Sequence, residues 1–242
     1  MSNSNIKPPD DAIAAPRTGA APLFEREALV RVLPFAAYIG FIFIADMLGR
    51  LGWTAQDLRH VYTVKIALVA SLLLAFRRHY TELAWRPLGA RALALAVAVG
   101  IVVLVLWINL NAGWMAIGSS AGFDPRNGGV IDWTMVVVRI CGAALVVPVM
   151  EELFWRSFLM RWLESAQFLQ VNPAHVKTKA FVATVILFGF EHNLWLAGIV
   201  AGAAYSVLYI RSQTLWSPIL AHGVTNGLLG IWIISTGQWT YW

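Results

Sequence analysis

The chain has 242 residues, of which 59% are hydrophobic and 13% charged, with a mean hydropathy of +0.65. A soluble domain carries about 25% charged residues, so this composition excludes a disordered protein and argues against a soluble enzyme. The net charge of +5 and the pI near 9.7 do not call for nucleic acid, because basic residues gathered in cytoplasmic loops give the same total. Cys141 is the single cysteine. It allows neither an intramolecular disulfide nor a cysteine zinc cluster, and its apolar surroundings predict a buried structural thiol.

Residues 1–31 form a polar stretch with Pro8, Pro9, Pro16 and Pro22, too poor in apolar surface to order itself, and are expected to be a disordered tail. Seven apolar runs follow, at 32–48, 61–76, 92–110, 131–147, 180–191, 194–210 and 215–234. Most approach the length of about 20 residues that a bilayer span needs. The fifth is short and is expected to begin near Thr178. An amphipathic segment at 150–164 is expected to lie in the interface or to re-enter the membrane. The predicted fold is all-α, a polytopic transmembrane bundle of about 7–8 helices around an intramembrane polar cavity. Its predicted parts are N-terminal helices at 32–130, a core at 131–235 and a short tail at 236–242.

Orientation follows from lysine and arginine. Lys7, Arg17, Arg26 and Arg31 precede the first run; Arg77, Arg78, Arg86 and Arg91 follow the second; Arg156, Arg161, Lys177 and Lys179 follow the fourth; Arg211 follows the sixth. The alternate connections hold Arg50 and Arg59, then Arg126, then none. The positive-inside rule therefore predicts a cytoplasmic N-terminus and a C-terminus on the far side.

Ionisable residues at bilayer depth cost several kcal/mol and mark function, and three clusters carry them. In Glu151-Glu152-Leu153-Phe154-Trp155-Arg156, Glu152 and Arg156 are four apart with the acid first, the favourable order for an ion pair. Glu151 projects about 100° away and is left free for proton transfer. Pro148 is expected to open a new helix, placing both glutamates near a positive dipole end. The plainer reading is an interfacial helix with solvated charges. Phe188-Gly189-Phe190-Glu191-His192 ends an apolar run, and Glu191 is expected to face a loop or orient a neighbour. In the third cluster Ser217 and Pro218 are expected to cap a helix. His222 and Asn226 share one face of it, beside Gly223, Gly227 and Gly230, which permit close helix approach. Helix packing through the His–Asn pair is the competing reading. Together a carboxylate, two imidazoles and a carboxamide on three helices make a hydrolytic set. Carboxylate or His takes a proton from water, and His with Asn donates to an oxyanion. Alternatively, Glu151, His192 and His222 hold a zinc with an open position.

At these residues the sequence resembles the CAAX-protease and bacteriocin-processing family of intramembrane proteases. That family includes the type II CAAX prenyl endopeptidases such as the Ras-converting enzyme. The motifs read Glu151-Glu152-x-x-x-Arg156, Phe188-x-x-x-His192 and His222-x-x-x-Asn226, in order, and the likeness covers about residues 130–235. Length and the apolar N-terminal half also resemble the CAAX-protease-related proteins found beside bacterial exosortase systems. The resemblance implies an intramembrane endopeptidase of a bacterial inner membrane that acts on a membrane-associated protein or peptide. It implies that Glu151 and His192 activate water, that His222 and Asn226 form the oxyanion hole, and that Glu152 and Arg156 support the site. Both a glutamate-dependent and a metalloprotease mechanism have been assigned to the family, so zinc is an open cofactor and no metal ligand is assigned. Nothing in the sequence marks a prenyl pocket or an oligomeric state. The four groups are expected to converge on one cavity that opens toward the cytoplasm.

Two rivals remain. Gly118-Ser119-Ser120-Ala121-Gly122 fits the serine-hydrolase pattern but lacks the preceding strand and following helix, and no His-Glu-x-x-His occurs. A non-catalytic polytopic protein, such as a transporter, an immunity factor or a sorting-system partner, also places charges in the membrane.

Overall fold

The computed structural model describes residues 25–84, 87–118 and 122–242. Nearly all regular structure is helical: α1 Arg26–Arg50, α2 Ala55–Leu58, α3 Val61–Phe76, α4 Ala90–Asn109, α5 Trp133–Trp162, α6 Thr178–Phe190, α7 Trp195–Ser212 and α8 Trp216–Thr236. A two-residue hairpin, β1 Arg126–Asn127 with β2 Val130–Ile131, interrupts the loop before α5. Among the described residues, six helical stretches are long and apolar enough to cross a membrane, and α6 is a shorter apolar helix of 13 residues. Large apolar side chains such as Phe43, Leu74, Val102 and Leu145 lie on the outer surface, where a bilayer in place of water removes their cost. The chain is an integral membrane protein.

The helices alternate in direction, so their ends fall into two sets. At one end Arg31 (α1) bonds Glu82, just past α3, at 2.6 Å and Glu27 at 3.1 Å. Ser157 of α5 also donates to Glu82, and Arg161 stands 3.7 Å from it. At the other end Arg59 pairs with Asp132 at 3.1 Å, Asn111 donates to Tyr241 at 2.7 Å, and the Trp195 indole donates to the Trp114 carbonyl at 3.1 Å.

Several expectations change. The first helix begins at Arg26 rather than at residue 32, because Arg31 is fixed by Glu27 and Glu82 and is fully buried. Residues 1–24, most of the expected tail, lie outside the described residues, as do Ser119, Ser120 and Ala121 of the serine-hydrolase pattern. Cys141 is exposed on the surface rather than buried. Ser217 and Pro218 lie within the first turn of α8, with Leu215 in the capping place.

The largest change concerns Pro148. No new helix starts there: the fourth run and the amphipathic segment are one 30-residue helix, α5, about 45 Å long at 1.5 Å per residue. Two π-helical stretches, Gly142–Val146 and Leu153–Leu159, lie within it. The first absorbs the proline. In π register the Val147 N–H bonds the Gly142 carbonyl, so the next donor, for the Ala143 carbonyl, falls on residue 148, where proline has none. The helix continues because α8 supplies what is missing. The Asn226 carboxamide donates to the Ala143 oxygen at 2.9 Å. Gly223 passes so close to the Ala144 carbonyl that an added Cβ would meet it at 2.8 Å.

Candidate active site

Glu151, His192, His222 and Asn226 all line one cavity of about 220 Å³. Residues at intervals of four on α5, namely Arg139, Ala143, Val147 and Glu151, form one wall of it. Interval-four residues share a helix face, so the proline-tolerant π turn sits in the middle of that wall.

The two adjacent glutamates diverge as their spacing requires. Glu152 is fully buried. Its Oε1 accepts from Arg156 at 3.0 Å and stands 3.0 Å from His222 Nδ1. Arg156, also fully buried, reaches the Gly202 carbonyl at 3.3 Å and lies over the Phe188 ring at 4.3 Å. Burying both charges away from water is tolerable because each finds a partner. Glu151 has no such partner: its Oε2 is buried without a hydrogen bond, and the nearest imidazole nitrogen, His222 Nε2, is 4.0 Å away. That gap exceeds a direct hydrogen bond and suits a bridging water.

His222 is held on three sides. Its Nδ1 faces Glu152, its ring stacks on Tyr205 at 4.9 Å and 20°, and Phe188 meets it edge-on at 6.4 Å. Tyr205 in turn donates to Thr225 at 2.8 Å, and Thr225 donates to the Gly100 carbonyl at 2.8 Å. This chain ties α7, α8 and α4 together. It depends on Gly100, where a Cβ would strike the Ala221 carbonyl at 2.5 Å. His192 sits just past α6, its Nδ1 2.8 Å from the Phe188 carbonyl and its ring edge-on to Trp107 at 5.2 Å. The Phe-x-x-x-His spacing is thus a helix-end contact. Glu191 accepts from the Trp155 indole at 3.0 Å and so orients a neighbour.

Asn226 lines the cavity, yet one of its N–H groups is committed to Ala143. Among the described residues no group of three or more His, Cys, Asp or Glu is placed to hold a metal ion. Glu151, His192 and His222 share the cavity but do not form a ligand cluster, so the donor set does not fit zinc as it stands.

Sequence reasoning missed Tyr205, Thr225 and Trp107, each an uncharged residue of an apolar helix. It also missed Tyr241 and Trp242, which line the cavity from the C-terminal end. The only sequence signal was position: Thr225 stands inside the His222–Asn226 motif. Trp107, Tyr241 and Trp242, which line the cavity, lie at the end of the bundle opposite the start of α1.

No curated protein and no solved structure matches the chain. Residues 133–228, the segment that carries Glu151, His192 and His222, match the family model described as type II CAAX prenyl endopeptidase Rce1-like, the CAAX-protease family that the three motifs resemble.

Proposed function

We propose that the protein is an intramembrane endopeptidase that hydrolyses a peptide bond of a membrane-associated protein or peptide. The observation that carries this reading is the unpartnered Glu151 carboxylate, buried 4.0 Å from His222 Nε2 in a cavity shared with His192. A buried carboxylate without a hydrogen bond is costly, and a water held between it and an imidazole offsets that cost while being placed for attack. Glu151 takes the proton as the water attacks the scissile carbonyl, and His192 faces the same cavity as a second group able to accept or return a proton. The tetrahedral oxygen acquires negative charge. His222, its Nδ1 against Glu152, stabilises that charge as the imidazolium through Nε2–H, and the second N–H of Asn226 adds a donor. Glu151 then returns the proton to the leaving amine.

Glu152 and Arg156 position His222 and do not touch the reacting atoms. No step requires zinc, and the ligand geometry described above does not favour it. The family match supports the reaction class, and prenylation of the substrate is left to experiment.

The test is hydrolysis in membranes. A panel of membrane-anchored reporter peptides is incubated with the full chain in water enriched in oxygen-18, and the products are read by mass spectrometry. The reading predicts one heavy oxygen in the new carboxyl group, lost in Glu151→Gln and in His222→Ala. Equal cleavage by wild type and both variants would refute it.

A further inference from the structure

We infer that the substrate enters from the non-cytoplasmic side of the membrane, so that the segment to be cut is an extracytoplasmic stretch of a membrane-anchored protein. The inference rests on the endopeptidase reading given above and adds to it the side from which the peptide arrives.

Two independent observations meet here. The first is the placement of basic residues on the two ends of the bundle. The end that holds the start of α1 also carries Arg77 and Arg78 beyond α3, Arg91 at the start of α4, Lys177 and Lys179 at the start of α6, and Arg211 at the close of α7. The opposite end carries Arg50, Arg59 and Arg126, each paired with an aspartate (Asp46 at 2.8 Å, Asp132 at 3.1 Å and Asp124 at 2.5 Å), and, deeper along α5, Arg139, which lies over the Tyr62 and Phe123 rings at 4.5 and 4.6 Å. Lysine and arginine in short loops are retained on the cytoplasmic side, so the first end is cytoplasmic.

The second observation is the route to Glu151. Trp107, His192, Tyr241 and Trp242 line the catalytic cavity and also a wider one of about 600 Å³ that reaches Asn111, Asn193 and Thr240. All of these residues lie at the end poor in basic residues. In the other direction the way is closed. Next to Glu151 come the fully buried Glu152 and Arg156, then Leu153, Met160 and Leu215 packed in one core, then Arg31, Glu82 and Ser157. A cavity at that end, lined by Glu82, Arg161 and Tyr209, shares no lining residue with the catalytic one. A peptide anchored at the cytoplasmic face meets packed side chains, whereas one on the other face meets an open path to the carboxylate.

The test uses the full chain with Cys141→Ser as background and three single-cysteine variants: Asn127→Cys in the hairpin, His175→Cys before α6, and Leu229→Cys in the cavity wall. Sealed right-side-out vesicles are treated with a small membrane-impermeant thiosulfonate, before and after permeabilisation. The expected result is labelling of the Asn127→Cys and Leu229→Cys variants from outside, and of His175→Cys only after permeabilisation. Labelling of His175→Cys from outside overturns the inference, whether alone or alongside Asn127→Cys. So does a Leu229→Cys variant that reacts only from the inner face or from neither. Labelling needs no turnover, so loss of the endopeptidase reading would show separately, as an absence of heavy-oxygen product from a chain that still labels as expected.

Discussion

The Asn226 carboxamide donates at 2.9 Å to the Ala143 carbonyl, the oxygen that Pro148 leaves without a backbone donor in the π turn. Asn226→Ala should therefore cost stability as well as activity, about 1–3 kcal/mol for an orphaned buried carbonyl. Pro148→Ala restores an N–H at position 148. A double-mutant cycle of thermal stability in detergent should show the second change recovering part of the first. Strict additivity of the two would contradict this account of the bulge.

Glu151 and Glu152 should respond in opposite ways. Glu152→Gln removes the charge that Arg156 and His222 both face at 3.0 Å, and breaking a buried pair costs about 3–5 kcal/mol. Glu151→Gln removes a carboxylate whose Oε2 has no hydrogen bond, so its melting temperature should equal or exceed that of wild type while cleavage is lost. Melting curves of the two variants, measured beside their activities, check this.

Glu82 sets an acid limit on stability. Burial pushes its carboxyl up, but the Arg31 hydrogen bonds and charge, with the Ser157 hydroxyl, outweigh that and hold it below the usual carboxylate range. A carboxyl depressed in the folded state stabilises above its unfolded value, and the contribution fades as pH falls through the folded value. Stability should thus drop on the acid side of about pH 4–5. The slope should be shallower in Glu82→Gln, which has no carboxyl there to titrate. Identical pH profiles would contradict this role.

Chelation should leave cleavage unchanged, because Glu151, His192 and His222 are not drawn into a ligand cluster and two imidazole nitrogens already face other groups, Glu152 and the Phe188 carbonyl. Turnover before and after dialysis against a strong chelator is the check. Loss of activity restored by added zinc would show that the site rearranges around metal.

Much of the architecture was legible because a bilayer enforces long apolar runs. The run at 61–76 reappears as α3 with the same bounds, and most other ends fall within a few residues. The ion pair of Glu152 with Arg156 was legible because it is local to one helix. What sequence did not carry was tertiary supply of backbone partners. A proline after an apolar run looks like a break unless a carboxamide some 80 residues later is known to meet it, as Asn226 meets Ala143. The part that Trp107, Tyr241 and Trp242 play in lining the cavity was hidden for a similar reason, since it depends on which helix ends meet.

The central claim is that Glu151 activates water for peptide hydrolysis, and the most direct measurement is the single-turnover cleavage rate of a membrane-anchored reporter by wild type and by Glu151→Gln, both shown to be folded by their melting curves. The account predicts a rate lower by about two to four orders of magnitude in the variant, the usual contribution of a general base. A folded Glu151→Gln protein that cleaves at the wild-type rate would contradict it.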